Sequence, residues 1–349
     1  MRQTYSTGEP IMNLCIRSIL AGVFALSVSL FAGTASAQQE GKELNFGFIN
    51  TDSSLVMKNI WQPLLDDMEK ETGLKVKAFF ASDYAGIVTG MQYNKVQLAY
   101  YGNKSAMEAV DRADGEIFAQ TVNAEGAGGY YSHLIAHKDS PLNSEKDVLA
   151  QAKNLTFGNG DPNSTSGFLV PGYYVFAINK LEPKAIFKRT LNANHEANAL
   201  SVANKQVDVA TCNNEVLKRL GEMQPEKRAQ IKIIWTSPLI ASDPLVWRKD
   251  LSTDIKNKVR NFMLSYGQDG RPNAAREREV LKGLHYSGFR VSTNDQLLPI
   301  RQLELFKERG TIEGNANINA ADKAAKIKEI DAKLADLNLR MSKLAQAKP

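Results

Sequence analysis

The chain has 349 residues, of which 43% are hydrophobic and 23% are charged, so it is long enough to form two folded cores. Its formal net charge is +5, spread along the chain, and this mild balance argues against a nucleic-acid-binding protein. Composition alone favours no particular ligand or reaction.

The first 37 residues predict an export signal. Residues 16–31 form a mostly apolar run that includes Arg17 near its start, and residues 35–37 read Ala-Ser-Ala, a small-residue cleavage site. The run is shorter than the roughly 20 residues that a membrane span needs, so we favour cleavage over a membrane anchor. Residues 1–11 do not resemble the start of a signal, and Met12 is an alternative start of translation.

Export has a consequence for the cysteines. Cys15 would leave with the signal, and Cys212 would then be the one cysteine of the mature chain. We therefore expect a periplasmic protein without an internal disulfide, whose fold depends on its core alone.

After the signal, predicted strands and helices alternate. The first run comprises strands at 44–50, 74–80 and 96–101 with helices at 57–72 and 85–93, and the second comprises strands at 155–158, 207–211 and 231–235 with helices at 167–179 and 195–203. Such alternation is typical of parallel βαβ units. Two runs joined in the middle predict two α/β lobes with a cleft between them, where helix N-termini point at a ligand.

The boundaries of these units can be predicted only coarsely. We assign 38–137 to the first part of lobe 1, 138–236 to lobe 2, 237–315 to the return to lobe 1 and the helices that follow, and 316–349 to a C-terminal amphipathic helix. The apolar residues of that helix follow a heptad spacing: Ile327, Ile330, Leu334, Leu337, Met341 and Leu344. Two interpretations stay open, docking of the helix on its own lobe and a homodimer through the seam.

Several catalytic motifs are missing from the sequence. The glycine-containing stretch 158–167 lacks the lysine of a P-loop, and the spacing around Ser164 and Ser166 does not match a nucleophile elbow. His133 and His137 would share one face of a strand, but no third ligand is near in sequence, so we interpret them as a solvated pair. We expect a protein that is not an enzyme and that uses no metal and no cofactor.

A hydroxyl cluster marks the start of the predicted helix 167–179. Ser164, Thr165 and Ser166 follow a turn made by residues 160–162. The first N–H groups of a helix lack intrahelical partners and carry a partial positive charge, so hydroxyls placed there favour binding of an oxyanion. The alternative is that one of them only caps the helix.

Long stretches of the chain resemble a known family. The motifs that carry the likeness are FFASDYAGIVTGMQYNKV (79–96), YYGNKSAMEAVDRADG (100–115), GNGDPNSTSGFLVPGYYVF (158–176), ANKQVDVAT (203–211) and SPLIASDPLVWRKDLS (237–252). Together they resemble the substrate-binding proteins of phosphonate ABC importers, most of all those that bind 2-aminoethylphosphonate. The resemblance covers nearly the whole mature chain. It implies a type II periplasmic-binding-protein fold that delivers an organophosphonate to an ABC importer permease in the inner membrane.

The same resemblance implies a set of ligand-binding residues. Those expected at the phosphonate group are Tyr84, Tyr130, Ser164, Thr165, Ser166 and His195, and those expected at the ligand amine are Glu215 and Asp243. This chain departs from the family pattern at Tyr131, Cys212 and Asn214 and in Ala241-Ser242, which could alter the shape of the amine end.

The implied residues suit a zwitterion. Neutral donors would hold the acid group, and two carboxylates would form charge-assisted bonds with an ammonium. By residue type alone, Glu215 and Asp243 could equally be surface carboxylates. The alternatives are a binding protein for phosphate, phosphite or a sulfonate, a secreted phosphonate or phosphate-ester hydrolase, and an adhesive or receptor-linked module.

Overall fold

Residues 43–346 are the part of the chain that the structure, a computed structural model, describes. The predicted signal at 1–37 and the alternative start at Met12 lie outside these residues. Within them, no helix combines the length and the apolar character that crossing a membrane requires.

Two main β-sheets organise the described residues. The strands, numbered in chain order, are β1 (Glu43–Phe48), β2 (Lys75–Phe80), β3 (Leu98–Tyr100), β4 (Gly115–Asn123), β5 (Gly129–Tyr130), β6 (Ser132–His137), β7 (Thr156–Asn159), β8 (Arg189–Asn192), β9 (Val209–Asn213), β10 (Ile231–Thr236), β11 (Ile240–Ala241), β12 (Pro244–Arg248) and β13 (Tyr286–Val291). A six-stranded sheet has the order β13-β4-β12-β3-β1-β2, and a five-stranded sheet has the order β10-β6-β9-β7-β8. We call the part built on the six-stranded sheet the first lobe and the part built on the five-stranded sheet the second lobe.

Helices cover the sheets. They are α1 (Ser54–Thr72), α2 (Tyr84–Gln92), α3 (Asn103–Arg112), α4 (Glu145–Gln151), α5 (Pro183–Ile186), α6 (His195–Ala203), α7 (Asn214–Met223), α8 (Pro225–Arg228), α9 (Thr253–Ser265), α10 (Ala274–Gly283), α11 (Leu298–Gly314) and α12 (Ala320–Gln346). β1 pairs in parallel with β2 and β3, and β7 pairs in parallel with β8 and β9. The predicted α/β class with two lobes and C-terminal helices is confirmed.

The chain passes between the lobes twice. The first passage follows β4 and contains β5, and the second follows β10 and contains β11. These two short strands pair antiparallel with each other. The predicted boundary at residue 137 put β6 in the first lobe, but β6 pairs with β9 and β10 in the second. The boundary is wrong by one strand, because the pattern of an apolar strand does not tell which sheet it joins.

The first helix shows how local sequence sets an element's bounds. The Ser53 side chain accepts a hydrogen bond from the N–H of Val56 at the start of α1. Gly73 ends the helix with φ = 67°, and its N–H donates to the carbonyl of Glu69. On the buried face, the Trp61 ring lies 4.9 Å from that of Phe48 on β1, so α1 packs on the sheet through aromatic contacts.

The second lobe has its own core. The rings of Phe157 on β7 and Phe187 stack at 4.6 Å, with Phe176 against both. On the other side of the sheet, Cys212 of β9 is 0% exposed beside Val202 of α6. Burial raises the pKa of the Cys212 thiol to about 12. In the described part of the chain this cysteine is free.

The C-terminal helix docks on its own chain. Three seam residues of α12, namely Ile330, Leu334 and Leu337, are buried, and the helix packs against α11. Arg309 Nε of α11 also donates to Asp331 Oδ1 at 2.7 Å. The contacts agree with the docking interpretation, while the homodimer stays a prediction.

This packing predicts that two leucines of α12 contribute differently to stability. Leu334→Ala should lower the free energy of unfolding by about 2–5 kcal/mol, the usual cost of truncating a buried leucine. Leu339, 54% exposed, is the matched control, and Leu339→Ala should change stability by less than about 0.5 kcal/mol. Urea denaturation measures both, and equal effects would show that α12 does not dock as described.

Candidate ligand-binding site

Polar side chains from both lobes meet where several strands end and helices begin. The helices that start here are α2 and α3 of the first lobe and α6, α7 and a helical segment at 165–179 of the second. Their first N–H groups face the space between the lobes, as expected at the carboxyl ends of strands in α/β sheets.

The hydroxyl cluster lies on an unusual helix. The predicted α-helix at 167–179 begins instead at Thr165 and contains two π-helical turns, Thr165–Leu169 and Gly172–Phe176. Ser164 is its N-cap, and its Oγ accepts the N–H of Gly167 at 2.9 Å. The capping interpretation therefore holds for Ser164, while the other two hydroxyls lie in the first turn. Wide turns of this kind are frequent at functional sites.

Pro171 explains part of this geometry. Proline has no N–H and cannot donate to the preceding turn. The carbonyls of that turn accept from the five-stranded sheet: Ser132 Oγ donates to the Ser166 carbonyl at 2.6 Å, and Thr211 Oγ donates to the Gly167 carbonyl at 2.7 Å. These bonds fix the start of the segment on the sheet.

Two glycines let the chain pass close to itself at this point. The Gly160 N–H donates to the Gly167 carbonyl at 2.9 Å, and a Cβ on Gly160 would overlap the Gly167 backbone. A Cβ on Gly167 would lie 2.8 Å from Ser164 Oγ. Side chains at either position would push the hydroxyls out of place.

The three hydroxyls have different partners. Ser166 Oγ and Ser164 Oγ lie 3.1 Å and 3.4 Å from His195 Nε2, and Thr165 Oγ accepts the N–H of Lys104 from the first lobe at 2.8 Å. A hydroxyl that accepts an N–H keeps its own proton to donate. Ser164 and Thr165 can thus each give one more hydrogen bond, to an acceptor between the lobes.

His195 is a neutral group in this site. It is the first residue of α6 and is 3% exposed, and burial lowers its pKa to about 4; Asp52 opposes this shift and Arg219 adds to it, both more weakly. Its Nδ1 is buried and has no hydrogen-bond partner within residues 43–346. A neutral imidazole can donate one N–H to an anion without adding charge.

Tyr84 at the start of α2 and Tyr130 on β5 complete the set of neutral donors. Tyr84 and Tyr130 are both buried, and burial raises the pKa of each well above its usual value. Asp161 and Asp243 act in the same direction on Tyr84, and Asp243 and Glu215 do so on Tyr130. Both therefore keep their protons and act as O–H donors at neutral pH.

Two carboxyl groups of this cluster, Asp243 and Glu215, lie near enough to influence each other's charge. Asp243 is buried, and its Oδ1 has no hydrogen-bond partner among the described residues. Burial and then the charge of Glu215 raise the pKa of Asp243 well above its usual value. Burial also raises the pKa of Glu215 to about 7, partly offset by Arg219. Such a pair is most stable with a cation beside it.

The structure thus brings all eight predicted residues together, from both lobes. It also adds residues that sequence reasoning missed: Asp52, Tyr100, Arg219 and Tyr286. Tyr100 is the last residue of β3, and Asp52 follows β1. The rule that ligand sites form at the carboxyl ends of strands could therefore have predicted both. Arg219 lies within α7, and nothing in the sequence pattern marked it as a site residue.

Direct contacts hold the lobes together beside the cluster. Arg219 of α7 donates to Asp52 of the first lobe through Nε at 3.1 Å and Nη2 at 2.8 Å, and both side chains are nearly buried. The N–H of Ser53 donates to Glu196 Oε2 at 2.6 Å, and the N–H of Tyr84 donates to Asp161 Oδ2 at 3.1 Å. The lobes are therefore closed on each other in this structure.

The other polar candidates have ordinary partners. The predicted solvated pair is wrong, because His133 and His137 are both buried. His133 Nδ1 lies 3.0 Å from Thr236 Oγ1, and His137 Nδ1 lies 3.5 Å from Asp139 Oδ2. In the described range, no group of three His, Cys, Asp or Glu side chains is arranged to hold a metal ion.

Comparison with known proteins shows the family. The sequence profile described as "ABC transporter, phosphonate, periplasmic substrate-binding protein" matches residues 46–297. The chain belongs to this family. A phosphonates-binding periplasmic protein of Escherichia coli strain K12 is 55% identical over 327 residues, which cover 94% of this chain and 95% of the relative.

Solved structures agree. A binding-protein component of an ABC phosphonate transporter from Pseudomonas aeruginosa is 59% identical, with a TM-score of 0.84 over 87% of this chain and 99% of that one. A Prochlorococcus marinus protein crystallised with methylphosphonate, 22% identical, has the same fold with a TM-score of 0.67 over 75% of this chain and 97% of its own. The periplasmic-binding-protein fold is confirmed. The chain is a periplasmic phosphonate-binding component of an ABC transporter and not an enzyme.

The lowered pKa of His195 predicts a pH dependence of stability. Between pH 6.5 and about 4 the unfolded state binds a proton that the folded state excludes, so this histidine destabilises the fold as the pH falls. The loss should reach about 3 kcal/mol near pH 4.5.

Urea denaturation of the wild type and of His195→Gln at pH 7 and pH 4.5 measures this contribution. The raised pKa of Glu215 acts in the opposite direction in both proteins, so the difference between them isolates His195. The variant should lose less stability than the wild type on acidification. Parallel losses would mean that His195 is charged in the folded protein.

Proposed function

We propose that this protein captures phosphonates that carry an amine, with 2-aminoethylphosphonate as the preferred ligand, and delivers them to the permease of an ABC importer. The observation that supports this most is the meeting of neutral donors and two carboxyl groups in one buried cluster. Family membership gives the phosphonate class, and the carboxyl groups add the amine.

The donor end suits a phosphonate group. Ser164, Thr165 and Ser166 lie at the start of a helical segment, with His195 beside two of them. Tyr84 and Tyr130 add neutral O–H donors. Hydrogen bonds to a charged acceptor are about twice as strong as those between neutral groups, so an oxyanion gains most from this arrangement.

The acid end suits an ammonium group. Asp243 Oδ1 is buried without a hydrogen-bond partner among the described residues, and Glu215 lies near enough to raise the pKa of Asp243. An ammonium ion would relieve both the missing bond and the repulsion. Phosphate, phosphite or a sulfonate without an amine would leave this end unpaired.

Closure would follow from contacts with both lobes. Asp243 and Tyr84 belong to the first lobe, and the hydroxyl cluster belongs to the second. A ligand that contacts both sets stabilises the closed form by its higher affinity for that form.

We further propose that residues 1–37 are removed on export, which N-terminal sequencing of the exported protein tests. A homodimer through α12 would appear as a doubled mass in light scattering at high concentration.

Isothermal titration calorimetry tests the proposed ligand. 2-Aminoethylphosphonate should bind at one site and more tightly than methylphosphonate, since only the first supplies an ammonium. Absence of heat with 2-aminoethylphosphonate at millimolar concentration would refute the proposed ligand.

Amide substitutions test the amine end. Asp243→Asn and Glu215→Gln should each weaken 2-aminoethylphosphonate binding by about a hundredfold, because one partner of a buried charge pair is lost. Methylphosphonate binding should change by less than about threefold. Glu329→Gln, at a carboxylate of α12 that is 65% exposed, is the control and should alter neither. An equal loss for both ligands would place these carboxylates away from the amine.

A further inference from the structure

We propose that Tyr100 and Tyr286 are positioning residues that set the amine selectivity of the site by holding Asp243 in one orientation. This inference rests on the proposed function, because it assigns the means by which one of the two carboxylates selects the ligand amine. Neither tyrosine was among the residues that the sequence predicted.

The three side chains form a chain of hydrogen bonds. The Tyr286 hydroxyl donates to the Tyr100 hydroxyl at 3.2 Å, and the Tyr100 hydroxyl donates to Asp243 Oδ2 at 2.9 Å. Exposed fractions are 7% for Tyr286, 3% for Tyr100 and 6% for Asp243, so water does not compete for these bonds.

The core of the first lobe keeps both tyrosines in place. The Trp61 ring of α1 lies 5.2 Å from that of Tyr100 and 6.2 Å from that of Tyr286. The Asp243 backbone is fixed as well, because its carbonyl accepts the N–H of Thr121 on β4 at 3.0 Å. A carboxylate held at its backbone and at one oxygen has little freedom to rotate.

The two carboxyl oxygens of Asp243 have different surroundings. Tyr100 occupies Oδ2, whereas Oδ1 is buried and has no partner in the described part of the chain. Oδ1 is therefore the atom available to an ammonium group. Without the bond from Tyr100, the carboxyl group could turn and satisfy itself elsewhere, which would weaken its preference for a cation.

The tyrosine also affects the charge of the carboxyl group. The groups near Asp243 are Glu215 from α7, Tyr84 from α2, Tyr130 from β5 and Tyr100 from β3, with Tyr286 of β13 behind Tyr100. Burial and Glu215 favour the protonated form, whereas the hydrogen bond from Tyr100, and to a smaller extent the nearby Tyr130 hydroxyl, favour the carboxylate by lowering its pKa. Loss of the Tyr100 hydroxyl should make Asp243 harder to ionise.

The test compares Tyr100→Phe and Tyr286→Phe with the wild type by calorimetric titration between pH 6 and pH 9. Tyr100→Phe should weaken 2-aminoethylphosphonate binding about tenfold to a hundredfold and methylphosphonate binding less than about threefold. In Tyr100→Phe, the pH at which the affinity for 2-aminoethylphosphonate is half of its maximum should rise. Binding of the amine requires ionised Asp243, and the variant makes this group harder to ionise. Tyr286→Phe, which does not touch Asp243, should change both quantities in the same direction and by less.

Tyr266→Phe is the matched control. Tyr266 also donates to a carboxylate, Asp67 Oδ2, at 2.6 Å, but within the first lobe and away from the cleft. This variant should change stability and leave affinity and its pH profile unchanged.

Two results would overturn the inference while the proposed function stands. One is an equal loss for both ligands in Tyr100→Phe, and the other is a pH profile that neither tyrosine variant shifts. If the wild type shows no preference for the amine ligand, the proposed function fails and this inference fails with it. If Tyr100→Phe does not fold, Tyr286→Phe alone tests the inference. Its hydroxyl acts on Asp243 through Tyr100, so the same shifts are expected at smaller size.

Discussion

Mutual repulsion between Asp243, which is buried, and Glu215, which is partly buried, is the constraint on which this site depends. Glu215 belongs to the second lobe and Asp243 to the first, so the repulsion acts between the lobes and grows as they close. A protein can tolerate this by protonating one acid or by enclosing a cation. The neutral donors on the opposite side matter for the same reason. An added lysine or arginine there would bind an anion, but it would also neutralise the acids and remove the need for a cationic group on the ligand.

Closure nevertheless has support from the protein itself. The pair formed by Arg219 and Asp52 joins the lobes beside Glu215, and backbone N–H groups at the starts of α1 and α2 bind carboxylates of the second lobe. The free energy of closing is thus a balance between attraction at the rim and repulsion at the centre. A ligand needs to supply only the difference, which suits a binding protein that must also release what it carries.

Much of the fold could be predicted from the sequence, because apolar periodicity and capping residues act locally. The partner sheet of β6 could not, since apolar content does not encode which strands pair. The π-helical turns also escaped prediction, because the effect of Pro171 depends on acceptor and donor groups supplied by another sheet. Of the eight site residues, the three hydroxyls could be proposed from their place at a helix start, whereas the other five came from family resemblance. Tyr286 meets Tyr100 from 186 residues away along the chain, a distance that no local pattern covers.

The buried thiol of Cys212 has a practical consequence. Its sulfur is inaccessible, and burial raises its pKa to about 12, so almost no thiolate exists at neutral pH. Maleimides should therefore leave Cys212 unmodified in the folded protein. Within residues 43–346, a cysteine engineered on the surface of each lobe would react in preference to Cys212, and fluorophores could report opening and closing without removal of the native residue.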